Sequence, residues 1–373
     1  MAFSFKLLSK RFLIVTNLVL VIFFVLPGLI PYTDPAKWWC LGFLGLGFPY
    51  LLVLVFLFFV FWLIIKPRYS ILSLFAMLLC WKQVSVLFKF SGTEFNYTKD
   101  EKSLRVLSWN VKIFEGLKKE QGSSVKAAND IIDFIKASNA DVLCLQEFNQ
   151  YDSTSSDKNH IRRLIEAGYP YYIFSSDYQK QKIDYHSGVA IFSKIPLKKQ
   201  QKIPFQSNPE SIVFADVEKN GQTFRIYTTH LQSFKFNSAD YRSLNDIKNK
   251  GELANQGSKN ILVKLKRGFE QRGLQAQQIQ TILDECEYPE IICGDFNDVP
   301  NSYAYWQIRG SRRDAFIEKG QGIGRTFISL APTLRIDYIM CDNRIKVNQF
   351  AVANKKFSDH MPVIADLQSD KKP

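Results

Sequence analysis

Hydrophobic positions follow two regimes along the chain. Phe12 to Tyr32 and Trp38 to Ile65 are almost wholly apolar, Pro49 lies inside the second run, and a third, weaker run covers Ile71 to Leu87. A bilayer takes about 20 apolar residues per helix. The pattern therefore predicts a transmembrane region over residues 1–89 with about three helices, at 12–32, 38–65 and 71–87. A signal peptide also opens with basic residues before an apolar core. Here two further apolar runs follow Lys6, Lys10 and Arg11, with no convincing small-residue cleavage site.

Residues 90–103 turn polar and read as a linker. From Leu104 onward short strand-like runs alternate with longer stretches of helical spacing. "LRVLSWN" and "ADVLCLQE" flank the amphipathic "VKAANDIIDFIKAS". "GVAIFSK", "SIVFADVEK" and "TFRIYTTHL" follow with few helices between, and Asn220-Gly221 supplies a two-residue hairpin turn between the last two. A long polar helical stretch then leads to "EIICGDFN", "RIDYIMCD" and "KVNQFAVAN". Strands that pair in both senses, with helices in two places, predict an α+β sandwich rather than a doubly wound parallel sheet.

Charge sharpens the division. Residues 1–89 carry eight Lys/Arg and one acid, which leaves 40 basic and 34 acidic residues downstream, so the soluble part holds only +6 of the net +13. The basic pI is then poor evidence for nucleic-acid binding. Leu231 to Gly273 has nine Lys/Arg against four Asp/Glu, so the remaining surplus concentrates there and suits a solvated helix, a phosphate-rich substrate or anionic lipid. Lys6, Lys10, Arg11, Lys66 and Arg68 place the N-terminus and the second loop in the cytoplasm by the positive-inside rule. Three crossings would put the soluble domain outside it.

Several strands deliver a polar side chain at or just beyond their ends: Asn110, Glu147, His230, Asp295 with Asn297, and Asp359 with His360. Asp337 lies within a strand, where a carboxylate is costly unless paired. Each alone reads as a turn or capping residue. Two of the four histidines, His230 and His360, join the set, whereas His160 and His186 read as surface residues. The chain offers no zinc spacing, no Gly-rich nucleotide loop and no activated Ser or Cys. Its six cysteines form no framework, although Cys286 and Cys341 could pair outside the cytoplasm. Carboxylate oxygens select a hard cation, Mg²⁺ or Mn²⁺. With amides and imidazoles beside them, metal-assisted hydrolysis of a phosphate ester is the chemistry indicated.

"LSWNV", "LQE", "SGVAIFSK", "TTHL", "CGDFND", "RIDYI" and "SDHMPV" occur in an order and spacing that resembles the endonuclease/exonuclease/phosphatase superfamily, the DNase I-like fold. The resemblance covers residues 104–368 and implies a four-layer αββα sandwich with its site at one end of two packed sheets. It implies that Glu147 binds the metal with Asn110 beside it and Asp359 near it, and that Asp295 orients the attacking water. Asn297 would contact the scissile phosphate, with Asn110 a second amide for phosphate. His360, oriented by Asp337, would sit on the phosphate, and His230 would stabilise the transition state or leaving group. Val111-Lys112 departs from the acid that many DNA-repair members carry after "WN". The expected activity is a membrane-anchored nuclease or phosphodiesterase. The alternatives are a lipid-headgroup phosphodiesterase or phosphatase, and a silent binding module. The substrate would be nucleic acid or phospholipid headgroup, with no protein partner predicted.

Overall fold

The computed structural model describes residues 2–90, 92, 94–117, 123–151, 158–180, 184–206, 208–250 and 256–370. It divides into one unit of Met1–Phe88, Phe236–Gly273 and Val299–Trp306, and another of Lys89–Lys235, Leu274–Asp298 and Gln307–Pro373.

The second unit is built on two sheets. In the first, strands run in the order Ile345–Val352, Val363–Ser369, Leu104–Asn110, Val142–Tyr151, Tyr185–Ser193 and Tyr171–Phe174, with Tyr178–Lys180 also on Tyr185–Ser193. In the second the order is Arg313–Asp314, Asp337–Cys341, Glu290–Asp295, Gln222–His230, Ser211–Lys219 and Leu197–Pro204. Each sheet has one parallel pair near its centre, Leu104–Asn110 beside Val142–Tyr151 and Gln222–His230 beside Glu290–Asp295. A parallel pair brings the C-terminal ends of both strands to the same edge: Asn110, His230 and Asp295 end their strands, and Glu147 lies within Val142–Tyr151, one residue past Gln146, the partner of Asn110.

Alternation fixes the layers. Val106, Val142 and Cys144 of the first sheet and Val213, Ile226, Ile291 and Cys293 of the second fill the core between the sheets. Leu107, Trp109, Leu143 and Leu145 point the other way and meet Ala128, Ile131, Ile132 and Ile135 of the Ser123–Ser138 helix. Side chains of successive strand residues face opposite sides, so this alternation is what a sheet buried on both faces requires. The result is the expected αββα sandwich. The Asn220-Gly221 turn is present, with φ of +52° and +74° at its two residues.

The expected linker is tied down in part. Arg105 is fully buried, grips Asp366 through Nε at 2.6 Å and Nη2 at 2.8 Å, and donates to the carbonyls of Asn96 and Tyr97. A buried guanidinium needs all its donors met, and these two carbonyls help to meet them. Cys286 and Cys341 do not pair: both are free thiols, and Cys341 lies buried with its Sγ directed at the Ile345 carbonyl.

In the first unit, two stretches are long and apolar enough to cross a membrane, Lys10–Tyr32 and Leu41–Ile65. The third expected helix is interrupted. Ile71–Leu87 falls into Ser70–Leu79 and Trp81–Ser85, broken at Cys80, and a ten-residue helix is about 15 Å long, half a bilayer core. Buried Ser73 donates to Asn17 of the first helix at 3.0 Å, and Phe24 stacks on Phe48 of the second.

The ends of Leu41–Ile65 meet different chemistry. Beyond its C-terminal end Lys10, Lys66 and Arg68 gather round the Tyr69 ring, at 5.5, 6.0 and 5.0 Å. At its start Phe43 meets Phe269 edge-on with ring centroids 5.6 Å apart. Gln83, at the end of the third apolar run, accepts from Asn301 Nδ2 at 3.2 Å.

Candidate active site

Strand register places the acids. Asp295 is the cross-strand partner of Asp337 on one side and of His230 on the other. Gly294 precedes it at φ +156°, and a Cβ there would lie 2.1 Å from the Thr229 carbonyl oxygen, so only glycine lets the strands close at this point. Glu147 sits at φ +46° within a register shift between Leu145 and Phe148. That bulge re-aims the carboxylate just where the pairing with Leu104–Asn110 stops, as bulges near active sites do.

Asn110 ties the two sheets together. Its Nδ2 donates to Asp295 Oδ2 at 3.0 Å and to Glu147 Oε1 at 3.1 Å, while its Oδ1 accepts from the Lys112 amide at 3.0 Å. Asn297, at φ +51°, donates through Nδ2 to the Leu231 carbonyl at 2.9 Å, and the same nitrogen lies 3.0 Å from His230 Nε2. The Leu231 carbonyl fixes the amide with its NH₂ toward the ring, so a proton on Nε2 would cost that contact. His360 Nδ1 lies 2.9 and 3.1 Å from the two oxygens of Asp337, and its Nε2 lies 3.6 Å from Asp295 Oδ2. The backbone of His360 is fixed by Trp109, whose indole Nε1 donates to the His360 carbonyl at 2.8 Å.

Electrostatics differentiate these groups. Burial alone would lower the His360 pKa, but the carboxylates of Asp337 and Asp295 outweigh it and push it up to about 10. Burial and then the like charge of Asp337 raise Asp295, against the opposing pull of His360 and His230. Burial also works against His230, and Asp295, Glu147 and Glu210 raise it on balance. The cluster can therefore offer a positive donor at His360 and a proton acceptor at Asp295, 3.6 Å apart.

Residues 107–360 match the model of the Endonuclease/Exonuclease/phosphatase family. The chain belongs to that family. Residues 10–87 match a separate domain of unknown function. Phospholipase C of Staphylococcus aureus is 28% identical over 36% of this chain, which spans only 45% of that enzyme. An endonuclease/exonuclease/phosphatase family protein from Leptotrichia buccalis has the same fold, with TM-score 0.51, 20% identity, and 71% of this chain and 99% of that chain covered. The human Nocturnin catalytic domain gives 0.50 and 20%, over 72% and 94%.

Seven of the eight expected site residues of this family member are brought together: Asn110, Glu147, His230, Asp295, Asn297, Asp337 and His360. Asp359 lies beside His360, whose pKa its charge helps to raise. Its carboxylate is held by Lys112 Nζ at 3.2 Å and by the Ser358 hydroxyl at 3.3 Å. Lys112 heads three successive residues at positive φ, Lys112, Ile113 and Phe114, a turn that non-glycine residues adopt only at a cost. Asn110 turns its oxygen to the Lys112 amide and its NH₂ to Asp295 and Glu147.

Glu210 belongs to the site and went unnoticed in the sequence. It is buried, raises His230, and accepts from Tyr178 Oη at 3.3 Å and Gln275 Nε2 at 3.2 Å. The only signal was a carboxylate directly ahead of the strand "SIVF", which reads as an ordinary strand boundary. Of the histidines set aside, His160 differs from a surface reading, being buried on Phe114, while His186 is half-buried with Nδ1 2.8 Å from the Ser176 hydroxyl.

Proposed function

We propose that this family member is a membrane-anchored phosphoesterase, dependent on Mg²⁺ or Mn²⁺, that hydrolyses phosphate esters by in-line attack of water. The observation that carries the reading is Asp295, buried between His230 and the His360–Asp337 pair and held by Asn110 at 3.0 Å. Asp295 orients the water and takes its proton. His360 holds a phosphate oxygen, the Asn110 and Asn297 amides reach phosphate oxygens by exchanging their contacts to Glu147 and His230, and His230 faces the developing charge on the leaving group.

Three groups, Asp295, Asp337 and His360, lie close enough together to hold an ion. An imidazole held as a cation against Asp337 is a donor and not a ligand, so Glu147 suits the ion better. Its side chain is 38% exposed, and among the described residues only Oε1 is engaged, by Asn110 and by His230 at 3.7 Å. Magnesium binds through one or two carboxylates and completes its shell with water and substrate oxygens. When bound, the ion supplies Lewis-acid polarisation of a phosphoryl oxygen.

The N-terminal unit supports anchoring with the catalytic domain outside the cytoplasm. Lys10, Lys66 and Arg68 share one end of the apolar helices, and Phe269 and Asn301 meet the other. Basic residues stay cytoplasmic. The interrupted segment Pro67–Ser85 then crosses as a kinked unit of about 19 residues, roughly 28 Å.

A second reading, a lipid-headgroup phosphodiesterase, is favoured by the likeness to phospholipase C and by the apolar helices. The deciding experiment gives the full chain, with Mg²⁺, a panel of bis(p-nitrophenyl) phosphate, plasmid DNA, RNA, sphingomyelin and phosphoinositides. Activity on at least one, abolished by EDTA, restored by Mg²⁺ or Mn²⁺, and lowered at least about 10²-fold in Asp295→Ala, is the expected outcome. Full activity in the variant, or restoration by Zn²⁺ alone, refutes the assignment.

A further inference from the structure

The helix Gln256–Asp284 begins inside the N-terminal unit, and its first part carries five basic residues, Lys259, Lys264, Lys266, Arg267 and Arg272, against one acid, Glu270. Catalysis as described uses none of them. Three positions on this stretch meet the ends of the apolar helices. A Cβ on Gly273 would lie 2.2 Å from Pro35, Phe269 packs on Phe43, and Lys266 Nζ stands 5.5 Å from the Trp39 ring. Trp39 and the half-exposed Trp38 directly precede the span Leu41–Ile65, the position where tryptophan marks the headgroup level of a bilayer. This stretch of helix is thus held at that level.

Residues 273, 269, 266, 262 and 259 are spaced four, three, four and three apart, so they form one stripe along the helix. The stripe that meets Pro35, Phe43 and Trp39 continues toward the helix start through Leu262 and Lys259. There the apolar side chains emerge: Leu262 is 46% exposed and its neighbour Val263 66%. Lys259, Lys266 and Arg267 are exposed around them. An exposed face that mixes aliphatic and basic groups beside a membrane span has the chemistry of an interfacial helix on anionic lipid.

We propose that residues 256–273 form an interfacial helix lying on an anionic bilayer surface, with Leu262 and Val263 in the acyl boundary and Lys259, Lys266 and Arg267 at the phosphates. This rests on the membrane-anchored reading. The helix would give the domain a second attachment beside its spans and gather anionic phospholipid around it.

The test uses the full chain in nanodiscs of phosphatidylcholine with phosphatidylglycerol, in a Cys40→Ser/Cys286→Ser background. A fluorophore is placed on Val263→Cys or, as a control, on Leu57→Cys, which is 57% exposed in the second span. Nitroxide-bearing lipid is then added. The Val263 label should lose about half its emission or more, as expected at a depth of some 5–10 Å. K266E/R267E should restore much of it. A quenched Leu57 label with an unquenched Val263 label overturns the interfacial helix and leaves the anchor standing, whereas an unquenched Leu57 label overturns both. Quenching unaltered by K266E/R267E overturns the headgroup contact.

Discussion

His360 Nδ1 lies 2.9 Å from Asp337 Oδ2, both side chains are buried, and Asp337 is the cross-strand partner of Asp295. Asp337 fixes the ring through Nδ1, and its charge, with that of Asp295, favours the imidazolium form of His360, whose Nε2 faces Asp295. The pair explains why a carboxylate is tolerated inside the strand "RIDYIM".

Asp337→Asn keeps the shape and removes the charge. The His360 pKa, about 10 beside Asp337 and Asp295, should fall. A raised imidazole is charged below its pKa and loses its proton above it, so the alkaline limb of turnover should move to lower pH. Turnover at neutral pH should fall about 10²-fold, the lower range for a lost acid–base group. Turnover of bis(p-nitrophenyl) phosphate by the full chain from pH 6 to 10 measures both effects. An alkaline limb in the same place as the parent's would show that Asp337 does not set the charge of His360.

Membrane orientation makes a separate prediction. The cluster of Lys10, Lys66 and Arg68 lies at one end of Leu41–Ile65, and that helix is about 37 Å long, enough to hold its two ends on opposite sides of a bilayer. An alkaline phosphatase reporter joined to the C-terminus of the full chain should be active in a bacterial host, because that reporter folds only outside the cytoplasm. A silent phosphatase fusion together with a fluorescent green-protein fusion would place the domain inside and limit the crossings to two.

The sandwich was readable because its strands alternate or run apolar between turn residues, and Asn220-Gly221 announces its own hairpin. The grouping of these polar residues was readable because chain direction in the parallel pairs brings Asn110, His230 and Asp295 to one edge, whereas the bulge that aims Glu147 there was not. Features set by tertiary contact were not. Ile71–Leu87 reads as one helix, and only the break at Cys80 divides it. Residues 94–103 look like a linker because Arg105, which binds Asn96 and Tyr97, lies outside them. The oxygen of Asn110 points to the Lys112 amide rather than into the site because of a left-handed turn in Lys112, Ile113 and Phe114, which no propensity predicts.

That same turn places Phe114 against His160, with ring centroids 4.0 Å apart and planes 15° from parallel. His160 is 4% exposed, its Nδ1 has no hydrogen-bond partner, and burial, aided by Arg163, pushes its pKa from 6.5 down to about 3. Between those two values the unfolded chain holds a proton that the folded chain refuses, so stability falls as pH drops below 6.5 and is fully present above it. At about 1.4 kcal/mol per pH unit, going from pH 7 to pH 5 should cost about 2 kcal/mol from this group alone. His160→Phe keeps an aromatic ring on Phe114 and has nothing to protonate. Urea unfolding of the full chain in detergent at both pH values should show the variant losing less stability than the parent by that amount. Equal losses in the two proteins would mean that His160 accepts its proton while still folded.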